Sequence, residues 1–272
     1  MRPVVTRGGD RNSMSQPSTL PLLENDLDEP GVLEAHLIHK AGSLPAVGVL
    51  CFFNELLTQL YADGELEVAY TLRSEIGSNP VYLYDVDGRS VAVTHPGVGA
   101  PLAAGFTEEL HALGLTTFVA CGGAGALDDD LDLGHVMIVN SAVRDEGTSF
   151  HYAPPGRIIN ADARGIDVLQ RVLGDAEIPY FIGRTWTTDA IFRETRSRIT
   201  RRADEGCHMV DMESSAFMAV ANYRGLRFAQ LLYAGDSLSG EWDSRHWMGA
   251  RSIRERLFRA SARAALALHD AY

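Results

Sequence analysis

The sequence predicts an α/β fold with a single domain, in which a central, mostly parallel or mixed β-sheet is flanked by helices on both faces. Short apolar runs rich in β-branched and aromatic residues alternate with amphipathic segments along most of the chain. The length of 272 residues and the hydrophobic content of 46% suffice for one large core, and no linker divides the chain. In such sheets the ligand crevice lies beyond the carboxyl ends of the strands.

The predicted strands and helices follow one another in regular alternation. The strand candidates are short apolar runs bounded by Gly, Pro or Asp, and they are Val47–Phe52, Val81–Val86, Ser90–Thr94, Thr117–Cys121, His135–Val143, Tyr180–Trp186 and Phe228–Ala234. The helix candidates are Phe53–Asp63, Pro101–Leu113, Ala163–Leu173, Phe192–Glu205, Met212–Arg224 and Ser244–His269. In the second of these, Ala103, Phe106 and Leu110 recur at the spacing of a helix that packs against a sheet.

The N-terminal region differs in composition from the rest of the chain. Residues 1–30 are rich in Ser, Pro, Gly, Asn and Asp and have no hydrophobic period, so we predict a mobile arm there. The alternative is an ordered arm that clamps a neighbouring subunit. Residues 31–272 form the predicted folded domain.

Charge and cysteine content limit the possible partners and compartments. A formal net charge of −12 repels polyanions, which excludes nucleic acid as the expected partner. Cys51, Cys121 and Cys207 are odd in number and far apart, which indicates a reducing compartment and therefore the cytoplasm. No apolar stretch approaches the roughly 18 residues of a membrane helix, so no membrane association is expected.

Two glycine-rich segments follow predicted strands. Residues 121–127 have the sequence CGGAGAL, whose glycines allow close approach of a ligand and whose clustered N–H groups suit an anion or a base edge. Residues 95–101 have the sequence HPGVGAP and form a second strand-to-helix turn. Each segment has a structural alternative, since many such segments only turn the chain. The first matches neither a P-loop nor a dinucleotide fingerprint.

Three further motifs carry polar groups that suit a site. Glu213 opens an apolar helix, where it either interacts with the helix dipole or accepts two hydrogen bonds from vicinal hydroxyls. Asp236 follows an apolar strand, and partial shielding from water would favour its protonated form and make it a proton donor, although a turn-forming role is the alternative. Residues 144–152 form either a site loop or a surface hairpin.

Together these motifs, from about Val47 to Leu268, resemble the nucleoside phosphorylase-I family. That family contains purine nucleoside phosphorylases, uridine phosphorylases and methylthioadenosine/S-adenosylhomocysteine nucleosidases. The resemblance implies a partly barrel-like sheet, and residues 31–272 would be the catalytic domain. It also implies an enzyme that cleaves the N-glycosidic bond of a nucleoside, which needs no metal or organic cofactor. Assembly into a homo-oligomer, a dimer or a trimer of dimers, is implied as well.

The resemblance assigns residues to the two halves of the nucleoside. Met212 and Glu213 match the pair in which Glu holds the ribose hydroxyls and Met packs on the sugar. Asp236 matches the aspartate that protonates or hydrogen-bonds N7 of a purine. Trp186 matches an aromatic residue that stacks on the base. In the base- and sugar-facing turn the matching residues are Ala124 and Gly125.

The phosphate ligands are matched less completely. The Gly-Asp-Pro-x-x-Arg segment of phosphorolytic members is absent, Ala120 stands at an arginine position and Gly123 at a Ser/Thr position. The resemblance leaves Gly123, Thr94 and Arg73 as phosphate-binding candidates, with Arg73 matching an arginine supplied by a neighbouring subunit. Inorganic phosphate is the expected co-substrate if the enzyme is a phosphorylase.

The sequence therefore predicts phosphorolysis of a purine-type nucleoside to free base and ribose 1-phosphate. Pyrimidines lack N7, and residues 193–196 do not reproduce the Gln-x-Arg pair of uridine phosphorylases. Three alternatives remain: a nucleosidase in which water replaces phosphate, a uridine phosphorylase-like activity, and a nucleoside-binding protein without turnover.

Overall fold

A computed structural model describes residues 18–24 and 26–272. Most of the predicted N-terminal arm lies outside the described residues, so its mobility stays a prediction. Its described portion includes a short 3₁₀ helix, Pro21–Leu23.

Ten strands of the described chain form one mixed sheet. They are β1 (Val47–Cys51), β2 (Leu66–Ser74), β3 (Gly77–Val86), β4 (Arg89–Thr94), β5 (Thr117–Ala126), β6 (Val136–Asp145), β7 (Ile158–Asn160), β8 (Tyr180–Thr188), β9 (Cys207–Asp211) and β10 (Arg227–Ser237). Their order is β10-β6-β8-β9-β5-β1-β4-β3-β2, and β7 pairs with β6 outside this path.

One additional pairing closes part of the sheet into a barrel. β10 also pairs with β5 in parallel, from Arg227 opposite Thr117 to Ala234 opposite Ala124. Strands β5, β9, β8, β6 and β10 therefore form a closed ring, and β1, β4, β3 and β2 extend from it as an open sheet. Parallel pairs such as β6–β8 occur beside antiparallel pairs such as β5–β9, which confirms the predicted mixed, partly barrel-like sheet.

Helices cover both faces of this sheet, as predicted. They are α1 (Asn54–Ala62), α2 (Ala100–Leu113), α3 (Ala163–Asp175), α4 (Arg196–Asp204), α5 (Ser214–Arg224) and α6 (Arg251–Asp270). One buried cluster joins α1, α3 and α6 to the sheet, and a second joins α2 and α5 to it. Alternate residues of β1 and β5 belong to the two clusters, so the sheet separates the core into two layers, one under each set of helices.

The structure corrects several element boundaries. β2, β7 and β9 were not predicted, because β2 is half exposed, β7 has only three residues, and β9 includes the polar residues His208 and Asp211 among its five. The predicted helix Phe192–Glu205 begins later, at Arg196, after the 3₁₀ turn Ile191–Arg193. Glu213 is the residue before the first helical turn of α5, with φ −136°, and not a member of that turn.

Candidate active site

A cavity of about 250 Å³ lies at the carboxyl ends of β1, β4, β5, β9 and β10. The same end of a parallel or mixed sheet is where α/β proteins bind ligands, because loops from several strands meet there. Residues of the first glycine segment and of both acidic motifs line this cavity together, and they are Gly123, Ala124, Gly125, Met212, Glu213 and Asp236. Positions more than 100 residues apart in the sequence therefore meet in one site.

The glycine segment lies at the end of β5, and its shape depends on a missing side chain. A Cβ atom on Gly125 would come within 2.4 Å of a Leu238 methyl carbon and 3.5 Å of an Asp236 carboxylate oxygen. Glycine therefore lets the backbone of β5 pass close to the side chains of Leu238 and Val210, next to Asp236. The segment is part of the wall of the cavity and more than a simple turn.

Glu213 is positioned by the turn between β9 and α5. The fully buried carboxylate of Asp211 accepts hydrogen bonds from the backbone N–H groups of Glu213 (2.8 Å) and Ser214 (2.6 Å). Its other oxygen accepts from the hydroxyls of Thr185 and Thr187, each at 3.0 Å. Asp211 thus fixes the backbone that carries Met212 and Glu213 into the cavity.

The Glu213 carboxyl is held in an environment that disfavours its charge. Burial raises its pKa to about 8, and the nearby Asp211 carboxylate acts in the same direction. The backbone N–H of Gly99, in the second glycine segment, donates a hydrogen bond of 2.6 Å to Glu213 Oε1 and partly opposes this effect. A bound ligand that offers hydrogen-bond donors would favour the ionised form.

Asp236 stands half-buried in the cavity wall, near a second carboxyl group. The Trp242 indole N–H donates a hydrogen bond of 2.8 Å to Asp236 Oδ2. Glu194 also lines the cavity, and its pKa is raised to about 7 by burial and by the charge of Asp236. The Glu194 carboxyl can therefore hold a proton near neutral pH.

Three predicted site residues do not line the cavity. Trp186, on β8, is fully buried against residues of α4. Its indole N–H donates a hydrogen bond of 3.0 Å to Asp145, so the ring is not available to stack on a base. Thr94 is buried at the end of β4, and its hydroxyl donates to the Pro80 carbonyl at 2.8 Å. Arg73 is exposed on β2, where it donates to Ser78.

The segment of residues 144–152 serves the fold and does not line the cavity. Arg144 donates to Ser149 Oγ at 2.8 Å and to the Pro154 carbonyl at 2.7 Å. The buried Glu146 accepts from the Ser149 amide at 2.9 Å and from Ser215 Oγ at 2.9 Å, which ties the segment to α5. The charged groups of Arg144 and Glu146 are thus satisfied within the protein.

The fold and the cavity agree with a comparison against known protein families. A family model described as "Phosphorylase superfamily" matches residues 34–268. The chain belongs to the phosphorylase superfamily. This confirms the family that the sequence motifs predicted.

Relatives in the phosphorylase superfamily differ in the substrate they are named for. A guanosine phosphorylase from Halorubrum lacusprofundi is 28% identical over 188 residues, which cover 67% of this chain and 78% of that protein. A uridine phosphorylase from Salmonella typhimurium is 29% identical over 157 residues, or 53% of this chain and 62% of that protein. This chain thus matches less than two thirds of the uridine phosphorylase's length.

Solved structures of the superfamily share the fold. A uridine phosphorylase from Vibrio fischeri ES114 superposes with a TM-score of 0.69 at 23% identity, covering 84% of this chain and 93% of that one. A purine nucleoside phosphorylase from Toxoplasma gondii, in complex with immucillin-H, gives a TM-score of 0.71 at 19% identity, covering 85% and 94%.

Several cavity residues of this phosphorylase superfamily member were not assigned a role from the sequence. Phe52 lies after β1, and its ring is 5.7 Å from that of His95, which also lines the cavity. Trp247 and Arg254 come from the segment that leads into α6 and from the helix itself. Arg254 lies on the buried face of α6 with Leu257, but the sequence carries no signal that separates it from the other arginines of that helix.

The described residues contain neither a cluster of metal ligands nor a membrane-spanning helix. Within residues 18–24 and 26–272, no group of three or more His, Cys, Asp or Glu side chains is arranged to hold a metal ion. In the same part of the chain, no helix combines the length and the apolar character that crossing a membrane requires.

Proposed function

We propose that this protein cleaves the N-glycosidic bond of purine-type nucleosides by phosphorolysis, giving free base and ribose 1-phosphate. The observation that carries the proposal is that Glu213 and Asp236 line one cavity together with the glycine segment of β5. A carboxylate for the sugar and an acid for the base are the two groups that this reaction needs.

Glu213 acts on the sugar. Its carboxylate accepts hydrogen bonds from the 2′ and 3′ hydroxyls, while Met212 packs against the ribose. Breaking the glycosidic bond builds positive charge on the sugar, and a negative carboxylate nearby stabilises that transition state more than the ground state. Because the Glu213 pKa is about 8 without substrate, binding of the diol and ionisation of the carboxyl are coupled.

Asp236 acts on the base. A phosphate oxygen forms a bond to C1′, the C1′–N9 bond breaks, and its electron pair stays on the base. Asp236 delivers a proton to N7, so the base leaves as a neutral molecule. General acid catalysis of this type contributes about 10²–10⁴ in rate.

A purine preference is supported by the groups around the base end of the cavity. Asp236 and Glu194 supply carboxyl groups that suit the N7 and N–H positions of a purine. Arg196, at the position where an arginine would read a pyrimidine, donates instead to the carbonyls of Leu238 (2.7 Å) and Ser239 (3.1 Å). The guanosine phosphorylase relative agrees with this preference, whereas the uridine phosphorylase relatives keep a pyrimidine substrate as the alternative.

Hydrolysis is the second candidate function. Ala120, at the position of a family arginine, is fully buried and carries no charge, and Gly123 has no hydroxyl. These two substitutions favour a nucleosidase, in which water attacks C1′ in place of phosphate.

The deciding experiment is base release from a panel of purine and pyrimidine nucleosides, with and without inorganic phosphate, followed by chromatography of the sugar. Phosphate-dependent release with ribose 1-phosphate as product supports phosphorolysis. Phosphate-independent release with free ribose identifies a nucleosidase. Addition of a metal chelator should leave the rate unchanged, because the proposed reaction uses no cofactor.

We also propose a homo-oligomer, a dimer or a trimer of dimers, in a reducing cytoplasm. Exposed apolar side chains cluster between residues 32 and 38, and they are Val32, Leu33, Leu37 and Ile38. A partner subunit would shield these side chains from water. The three cysteines are buried and free, in keeping with a reducing compartment. Analytical ultracentrifugation measures the assembly, and a monomer at all concentrations would contradict the proposed oligomer.

A further inference from the structure

The charges that line the cavity include a cation without a role in the proposed function. In the part of the chain that the structure describes, Arg254 is the only lysine or arginine among the lining residues, beside the carboxyl groups of Glu194, Glu213 and Asp236. Only 4% of the Arg254 surface is exposed. A buried guanidinium that lines a substrate cavity is costly to desolvate, so its position calls for a function.

Arg254 is held rigidly from one side. Its Nε donates a hydrogen bond of 2.8 Å to the Tyr233 hydroxyl, and its Nη1 donates to the Glu55 carboxylate. The guanidinium carbon lies 5.3 Å from the centre of the Phe53 ring and 5.1 Å from that of Trp247. Its Nη2 makes no hydrogen bond to any residue that the structure describes, so these N–H groups remain available to a ligand.

Tyr233 links Arg254 to the glycine segment of β5. A Cβ atom on Gly123 would lie 3.2 Å from the Tyr233 ring and 3.3 Å from its hydroxyl oxygen, the same oxygen that binds Arg254. The guanidinium is therefore close to Gly123, whose backbone is exposed in the cavity. Helix α6 thus brings a positive charge to the turn where β5 carries neither an arginine nor a hydroxyl.

We infer that Arg254 and the Gly123 backbone form an oxyanion subsite for inorganic phosphate, in place of the missing strand-borne ligands. The inference rests on the proposed phosphorolysis and names the residue that holds its co-substrate. The two N–H groups of Nη2 can donate to two oxygens of a phosphate, and the nearby rings of Phe53 and Trp247 limit the orientation of the guanidinium.

Glu55 completes the subsite without excluding an anion. Its side chain is 46% exposed, so it is the more solvated partner of the pair with Arg254. A hydrogen phosphate ion carries one P–OH group, which donates to the Glu55 carboxylate while the remaining oxygens accept from Arg254. Glu55 accordingly favours protonated phosphate over a fully ionised oxyanion.

The test compares phosphate binding and turnover in the full-length protein and in Arg254→Gln. We expect the KM for phosphate to rise by about tenfold or more, because a charge-assisted bidentate contact is lost, with the KM for nucleoside within about twofold. Arg259→Gln is the matched control, since Arg259 lies on the same helix, pairs with Glu65 and does not line the cavity. An unchanged phosphate KM in Arg254→Gln would overturn the inference.

A second variant keeps the test decisive if Arg254→Gln fails to fold. Glu55→Gln removes the negative charge that favours protonated phosphate, so the preference for phosphate over sulfate, a fully ionised oxyanion, should fall several-fold. An unchanged preference for phosphate over sulfate in Glu55→Gln would contradict the assignment.

Calorimetric titration with inorganic phosphate alone separates this inference from the proposed function. If the wild-type protein binds phosphate and Arg254→Gln does not, the subsite stands even if base release proves independent of phosphate. If both proteins bind phosphate equally while ribose 1-phosphate forms, phosphorolysis stands and Arg254 is not its ligand. If the wild-type protein binds no phosphate, the subsite is disproved.

Discussion

The backbone N–H of Gly99 donates a hydrogen bond of 2.6 Å to Oε1 of Glu213, a residue 114 positions later in the chain. This contact joins the turn before α2 to the turn before α5 in the wall of the cavity. One oxygen of Glu213 is therefore already oriented by the protein, and under the proposed function the protonation of Glu213 responds to the ligand as well.

The proposed role of Glu213 in holding the ribose diol predicts a substrate-dependent defect. Glu213→Gln should lower kcat/KM for ribosides by about tenfold or more, because hydrogen bonds to a charged acceptor become neutral ones. A 2′-deoxyriboside lacks one of the two hydroxyls and should lose less. Steady-state kinetics on matched ribosides and deoxyribosides measure the difference, with the exposed Glu67→Gln on β2 as control. Equal losses on both substrates would argue against a diol contact.

The raised pKa of Glu213 predicts a pH-dependent stability difference. The folded protein keeps this carboxyl protonated up to a pKa of about 8, whereas the unfolded chain releases the proton near the usual 4.5. Its contribution to the free energy of unfolding is therefore present at low pH and lost as pH rises through about 8. The Tm of Glu213→Gln, measured relative to wild type without ligand, should increase between about pH 5 and pH 9. A Tm difference that is constant over this range would show that the carboxyl does not titrate as described.

Asp236→Asn tests the proposal that Asp236 protonates the leaving base. An amide in this position cannot donate a carboxyl proton to N7, so kcat for purine nucleosides should fall by about 10²–10⁴ while nucleoside binding changes little. The exposed Asp130→Asn is the control. Nucleosides whose base is already a good leaving group should lose less, since they need less protonation. Unchanged kcat on ordinary purine nucleosides would remove Asp236 from the mechanism.

Trp186→Phe distinguishes a structural tryptophan from one that stacks on a base. The indole is fully buried and donates to Asp145, so its loss should lower the free energy of unfolding by about 1–3 kcal/mol. The KM for nucleoside should stay within about twofold, because the ring does not line the cavity. Urea unfolding and steady-state kinetics measure the two effects. A large rise in the KM for nucleoside without loss of stability would show that the Trp186 ring contacts the substrate.

Local patterns in the sequence predicted most of the sheet and its helices. Apolar runs such as Thr117–Cys121 and amphipathic segments such as Ala163–Leu173 carry their periodicity in consecutive residues. Barrel closure is different, since β10 pairs with β5 across about 110 positions and no local pattern encodes that pairing. β2 escaped prediction because only Leu66 and Leu72 of its nine residues are buried.

The candidate site was likewise predicted only in part from the sequence. Glu213 and Asp236 were found because each stands at the end of an apolar run, where a carboxyl group is conspicuous. Trp186 was misplaced, because its position after a strand does not reveal which face of the sheet its ring occupies. Arg254 was missed because α6 is rich in arginine, and only the packing of that helix separates the buried one from the exposed ones.

The closed ring of strands preorganises the part of the cavity that Asp236 and the β5 glycine segment line. Asp236 lies in a bulge of β10, and β10 pairs with β5 on both sides of it, at Ala234 opposite Ala124 and at Ser237 opposite Ala126. The distance between Asp236 and the β5 backbone is thus set when the protein folds, and under the proposed function little reorganisation is left for the reaction itself. Outside the ring, residues 238–250 contain neither a strand nor an α-helix, and they contact this unit through the hydrogen bond from Trp242 to Asp236.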